Sequence, residues 1–507
     1  MIIGVVIGES KPTEVTAQSS RPLSVGEYVI VDSQNGKLLG LVERSIVSSD
    51  ALTDVRNFDE AIESKEVAEL NSRDKNYKVK IGILGFLENL QKGQAIVPAV
   101  PPLPGTSILG ARQEDLDIIF SPKEKEWIRI GSLLRNPEIE AKINLNKIVS
   151  RHIGILAMTG MGKSNLVSLI AKQIASLQGT LIIFDYHNDY ANLNVTKINV
   201  TDAKINPRLL QADKLAEVIE LRENADKQQR VLRESFTQSV RQEKDFWTAL
   251  EDSVSTFGHT TKGYADSASR VLDKIDDAKH RFVDILDPDC GDPVNLIKEG
   301  RVNVLSVAEL SERQANVGLS YYLQELLNDR KDSYWAKKGR KISGKSHKFS
   351  SPIFVVIEEA HVFIPKGEHT DTKYWASKVA REGRKFGIGL GIVSQRPRNI
   401  DPNVLSQMGS LAIMKIVQDD DQQQIASAAE SLSKDLLTQL PSLNIGDAVL
   451  VGQWVNLPSI VHVDEIKGKT IGSDLNAVAE WSESTKFKSI AEESTAGLVQ
   501  KDLLMDL

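Results

Sequence analysis

The chain has 507 residues, 41% of them hydrophobic, a formal net charge of −7 and a single cysteine, Cys290. The length predicts roughly three domains, and the lone thiol excludes a disulfide framework and fits a reducing compartment. The acidic balance requires any nucleic-acid binding to come from a local basic surface, such as a channel lining. No apolar run approaches the ~18 residues of a membrane helix. The opening residues, Met1-Ile2-Ile3-Gly4-Val5-Val6-Ile7, read as a strand without the basic leader of a signal peptide. A cytoplasmic protein with no membrane partner is therefore expected.

Residues 1–110 read as short strands and turns. Tyr28-Val29-Ile30-Val31 and Leu38-Leu39-Gly40-Leu41-Val42 flank Asn35-Gly36, a strong hairpin signal. A further strand at 79–84 and the prolines from Pro98 to Pro104 predict a small β-barrel followed by a linker. Residues 111–150 are expected to be that linker and the lead-in to the core. From about 125 the pattern turns to strands alternating with helices, as in a mostly parallel α/β sheet, and the core is placed at 151–465. Strands are expected at 152–158, 180–185, 302–307, 353–358, 388–394 and 411–417. Between about 208 and 285 the strand signal vanishes. Leu215, Val218, Ile219 and Arg222 there keep helical spacing, so a helical subdomain is inserted in the sheet order. Ala448–Gly452 and Ile460–Val463 look like a terminal hairpin, and residues 466–507 form a weakly patterned tail.

Two stretches match a phosphate-binding loop. The pattern G-x-x-x-x-G-K-[ST] is met letter for letter by Gly339-Arg340-Lys341-Ile342-Ser343-Gly344-Lys345-Ser346, whereas Ala157-Met158-Thr159-Gly160-Met161-Gly162-Lys163-Ser164 fails at its first position. A working loop needs a buried strand leading in and a helix leading out, so that unpaired N–H groups and the positive end of the helix dipole face the phosphates. The second stretch has both. His152-Ile153-Gly154-Ile155-Leu156 precedes it, and apolar residues at 166, 169, 170 and 174 share one helical face after it. The first stretch follows polar, basic residues and runs into Pro352. Lys163 and Ser164 are therefore the nucleotide-binding candidates, with Thr159, Gly160, Met161, Gly162 and Asn165 around them. Lys345 is assigned to an exposed loop. Alanine at 157 is tolerable where the backbone conformation is ordinary.

The run Ile353-Phe354-Val355-Val356-Ile357-Glu358-Glu359 places two acids at the end of a buried strand. An NTPase needs this arrangement: Glu358 would hold a water on Mg²⁺, and Glu359 would orient or deprotonate the attacking water. A strand ending at Gln395 would lie alongside, its amide either sensing the terminal phosphate or the attacking water, or serving only as a solvated cap. Arg381 and Arg384, three residues apart near a helix end, suit transition-state phosphoryl charge. They either reach a neighbouring subunit's nucleotide or form surface ion pairs. Asp185 either approaches Lys163 or serves a strand-end turn. His187 and His361 have no ligand-spaced partners, so no metal pair is expected from them. Arg330, Lys331, Lys337, Lys338, Arg340, Lys341, Lys345 and Lys348, with Tyr334 and Trp335 among them, form a basic stretch. It either tracks a phosphate backbone or is a solvated loop.

Arg151-His152, Thr159–Asn165, Phe184-Asp185-Tyr186-His187, Ile357–Phe363, Arg381–Gly387 and Val393-Ser394-Gln395-Arg396-Pro397 together resemble the HerA family, hexameric DNA translocases and helicases of the FtsK–HerA group found mainly in archaea. The resemblance spans nearly the whole chain. It implies a RecA-like P-loop NTPase sheet with the inserted helical subdomain, a HAS-barrel-like N-terminal domain and a C-terminal brace. It also implies Lys163 and Ser164 on ATP and Mg²⁺, Glu359 as the catalytic acid, Glu358 as its metal-side neighbour, Arg384 as the trans-acting arginine and Arg151 close to the nucleotide. The chain departs from the family pattern at Ala157, at Met161 and at Asn188-Asp189, where Gly-Glu is more usual.

The implied function is an ATP-driven translocase on double-stranded DNA. It would be a homo-hexameric ring working with a NurA-type nuclease in DNA end resection and recombinational repair. A secretion- or conjugation-type pumping ATPase and a nucleotide-gated nuclease-binding scaffold are the other readings. The lack of a membrane span counts against the first, and the presence of both Lys163 and Glu359 counts against the second.

Overall fold

A computed structural model describes residues 1–70, 75–222, 224–339, 347–429 and 432–466. The letter-for-letter pattern match at 339–346 and the tail beyond Ile466 therefore lie almost wholly outside the described residues. Six strands close an N-terminal barrel in the order β1-β2-β5-β4-β3-β6. They are β1 (Ile2–Ser10), β2 (Glu14–Ser19), β3 (Tyr28–Ser33), β4 (Gly36–Ser49), β5 (Lys75–Phe86) and β6 (Ser107–Gly110). Alternating residues such as Val29, Val31, Val79 and Ile81 fill its interior. The β3–β4 turn is Gln34-Asn35, one residue earlier than the Asn35-Gly36 signal, because Ser33 pairs with Gly36.

The core is one eleven-stranded sheet, ordered β11-β12-β10-β13-β14-β9-β15-β16-β17-β7-β8. Its strands are β7 (Trp127–Leu133), β8 (Asn136–Asn144), β9 (Ile153–Leu156), β10 (Thr180–Asp185), β11 (Ile198–Asp202), β12 (Val302–Ser306), β13 (Ile353–Ile357), β14 (Ile388–Ser394), β15 (Ser410–Ile413), β16 (Asp447–Gly452) and β17 (Ser459–Val463). Pairing is parallel from β11 to β15 and antiparallel from β15 onward. The central strands are unbroken apolar runs because both their faces are covered; β13 is buried at every residue.

Residues 111–150 are not a linker. They contribute the helix Gln113–Phe120 and the β7–β8 hairpin, which extends the sheet beyond β17. Ile128, Ile130, Ile139, Ala141 and Ile143 are buried, while Arg129, Glu140 and Lys142 between them face outward and pair with one another. That alternation of charge and apolar residue is the mark of a strand with one covered face. The inserted helices from Ala212 to Arg281 form their own core around Leu215, Phe246, Val271 and Phe282. Among the described residues no helix is long and apolar enough to cross a membrane.

Candidate active site

The loop between β9 and the helix Lys163–Ser176 turns on two glycines in the left-handed region, Gly160 (φ 76°) and Gly162 (φ 106°), a conformation that side chains with a Cβ resist. Ala157 is not in that region, so the departure from glycine there costs no strain. Its N–H donates to the Ser394 carbonyl at 3.1 Å, seating the loop over β14. The Lys163 ammonium lies on the loop's own Ala157 and Met158 carbonyls, each at 3.2 Å. Burial holds its pKa below the usual lysine range, against the opposing pull of Glu359, Glu358 and Asp189.

The acids arrive from β13, which runs between β10 and β14. Glu358 is buried and accepts a hydrogen bond from the Tyr190 hydroxyl, while its Oε2 has no hydrogen-bond partner. Burial, reinforced by Asp185, Asp189 and Glu359, pushes its carboxyl up to about 8, with the Tyr190 bond acting the other way. Glu359 follows in the left-handed region (φ 45°, ψ 43°). An outlier of this kind at a non-glycine residue is common where a side chain must be aimed. Its Oε2 also lacks a hydrogen bond, and two imidazoles flank the carboxylate, His361 Nδ1 at 3.2 Å and His187 Nε2 at 3.4 Å. His361 also meets Ser394 Oγ at 3.1 Å, and burial lowers its pKa, with Glu359 pulling the other way.

Gln395 sits just past β14, and its side-chain oxygen accepts from the Thr159 hydroxyl, tying the end of that strand to the phosphate loop. Lys163, Ser164, Glu358, Glu359 and Gln395 thus line one cavity of about 660 Å³. Among the described residues no group of three or more His, Cys, Asp or Glu is placed to hold a metal ion alone. The set nevertheless suits Mg²⁺, which takes one or two protein oxygens and completes its shell with phosphate and water. The Ser164 hydroxyl and the unpartnered Glu358 oxygen are the groups that would hold it.

The other expected residues fall in two places. Asp185 is turned inward, where its carboxylate accepts from the backbone N–H groups of Asp189 and Tyr190 at 3.0 and 2.8 Å. It shapes the turn that delivers Asp189, and Asp189 is the acid that reaches the loop, accepting from Ser164 Oγ at 2.8 Å. Arg151, Arg381 and Arg384 lie toward the opposite, N-terminal ends of the strands. Arg151 precedes β9, and the helix Asp371–Phe386 carrying the other two ends just before β14, whereas the loop and the acids follow the C-terminal ends of β9 and β13. Arg381 and Arg384 are exposed.

Sequence reasoning missed Tyr190, Asp189 and a wall built from Ile445, Gly446, His462 and Val463. The wall follows from the antiparallel β16–β17 hairpin folding back beside the loop. The Asn165 amide fixes it, donating to the Asp464 carbonyl at 2.9 Å and accepting from the Ile466 N–H at 3.0 Å.

Residues 128–326 match the family model for the central domain of helicase HerA, and residues 3–89 match the HAS barrel domain. The DNA double-strand break repair helicase HerA of Saccharolobus solfataricus is 37% identical, covering 97% of this chain and 98% of its own length. The chain belongs to the HerA helicase family. The enzyme of the same description from Pyrococcus furiosus is 32% identical, covering 95% of this chain and 96% of its own. The solved structure of VirB4 of Thermoanaerobacter pseudethanolicus superposes with a TM-score of 0.51 at 14% identity, covering 68% of this chain and 99% of that one. It shares the fold of the core. As a HerA-family helicase, the chain is an enzyme built on a P-loop NTPase sheet.

Proposed function

We propose that this protein is an ATP-driven translocase on double-stranded DNA, assembled as a hexameric ring and working with a NurA-type nuclease in the resection of broken ends. The carrying observation is the convergence of Lys163, Ser164, Glu358, Glu359 and Gln395 on one cavity, with three arginines toward the opposite ends of the strands. Closed rings are how head-to-tail contacts between identical chains avoid open filaments. In such a ring the loop edge of one subunit faces the arginine edge of the next.

On binding nucleotide, Lys163 would leave its two carbonyls for the terminal phosphates, and the loop N–H groups would take the remaining oxygens. Bound Mg²⁺ would supply charge neutralisation at those phosphates. Glu359 would orient the attacking water and accept its proton, held in aim by its backbone conformation and by the two imidazoles. Gln395, through Thr159, would report the state of the terminal phosphate to β14. Arg384 of the adjacent subunit would stabilise the transition-state charge, with Arg381 and Arg151 on the same edge.

The test is ATP hydrolysis by the assembled full-length protein with and without duplex DNA. Stimulation by DNA is expected. An assembled ring whose turnover is indifferent to DNA would rule out the translocase reading.

A further inference from the structure

The cavity extends past the phosphate loop to a wall that hydrolysis does not use. In the sheet, β13 and β14 lie on one side of β9, and β15, β16 and β17 on the other. Glu358, Glu359 and Gln395 end the first pair, so the reacting end of a nucleotide faces them. Its other end faces the turn before β16 and the end of β17, where Ile445, Gly446, His462 and Val463 line the same cavity.

This wall has the chemistry of a ring-binding surface. Ile445 leaves 66% of its surface open in the turn before β16. His462 Nδ1 is bonded to Oδ1 of the buried Asp447 at 2.8 Å, which fixes the orientation of the imidazole. The ring lies over Gly446, where a Cβ would come within 3.1 Å of Cε1. The wall is also rigidly joined to the loop, because the Gly446 N–H donates to the Met161 carbonyl at 3.2 Å and Asn165 holds the chain at 464–466.

We propose that Ile445, His462 and Val463 form the subsite for the base of the nucleotide, a planar heteroaromatic ring taken up by stacking on the imidazole and apolar contact with the two aliphatic side chains. The inference rests on the nucleotide reading above and adds where the base lies. Stacking tolerates any base, so the subsite favours nucleotides over bare polyphosphate and discriminates weakly between purines.

The experiment is calorimetric titration of the full-length protein with Mg²⁺·ATP and, separately, with Mg²⁺·tripolyphosphate, which has no base. Ile445→Ala and His462→Ala are each expected to weaken ATP binding about tenfold and to leave tripolyphosphate binding unchanged. His462→Phe, which keeps an aromatic face, is expected to retain ATP affinity. Ile445 is exposed, so its truncation leaves the fold intact and the outcome does not depend on His462 alone. Unchanged ATP affinity in both alanine variants, or an equal loss for both ligands, overturns the base subsite. Lys163→Ala separates the two readings. If it keeps full affinity for both ligands, the phosphate site itself is wrong; if it loses both while the wall variants bind ATP normally, only the base subsite falls.

Discussion

The Tyr190 hydroxyl donates to the Glu358 carboxylate, joining the turn after β10 to the end of β13. The bond is a partial answer to the burial of that carboxyl, whose pKa is pushed up from 4.5 to about 8. The unfolded chain titrates this group near 4.5 and the folded chain near 8. Its stabilising contribution is therefore fully present below about 4.5 and is lost as pH rises towards 8. Glu358→Gln removes that dependence. In thermal melts without nucleotide, the variant should gain on the parent steadily from pH 5 to pH 8, by on the order of a few kcal/mol. Melting curves that stay parallel across this range would refute the assignment.

Lys163→Ala should lower ATP hydrolysis on the order of 100-fold or more, since among the described residues the ammonium is the lysine cation that lines the cavity with both acids. Lys345→Ala is the matched control, because Lys345 stands in the literal copy of the motif. Steady-state hydrolysis rates decide it, and a loss confined to Lys345→Ala would exchange the two assignments.

Glu359 is held in a conformation that glycine adopts freely. Glu359→Gly should raise the thermal stability of the nucleotide-free protein by ~1 kcal/mol while abolishing hydrolysis. Glu359→Gln should abolish hydrolysis with stability unchanged and nucleotide binding retained. Calorimetric melts paired with single-turnover assays check both, and a destabilised glycine variant would contradict the strain reading.

Arg384→Ala should lower hydrolysis on the order of 1,000-fold, the scale of a transition-state arginine, with nucleotide affinity little changed. Mixing Arg384→Ala subunits with Lys163→Ala subunits should restore some activity, because sites pairing an intact loop with an intact arginine edge then form. Mixtures no more active than the separate variants would count against a role in trans.

Sequence alone reaches the phosphate loop and the β13 acids because each is a run of adjacent residues, with flanking strand or helix in plain view. Those flanks are also what favours Lys163 over Lys345. The β7–β8 hairpin is hidden because Arg129, Glu140 and Lys142 interrupt the apolar residues, so a one-faced strand reads as polar linker. β11 is short and half-covered at the sheet edge. Tyr190 and His462 escape for a different reason. Each reaches the site through strand neighbours distant in sequence, 168 residues from Tyr190 to its partner Glu358, and no local spacing encodes that. Asp185 leaves both of its readings open in sequence, because a strand-end acid looks the same whether it faces a ligand or its own turn; the structure shows the turn.

The Asn165 side chain grips the backbone at Asp464 and Ile466, two residues after Lys163 in sequence and at the last described part of the chain. Mechanically it is a leash. Tension on whatever follows Ile466 is delivered to the first turn of the helix that begins at Lys163 before it is shared with the strands of the sheet. A tug on the C-terminus and a change at the phosphates would thus act on the same turn of helix, so a partner holding that end could feel which nucleotide is bound without touching it.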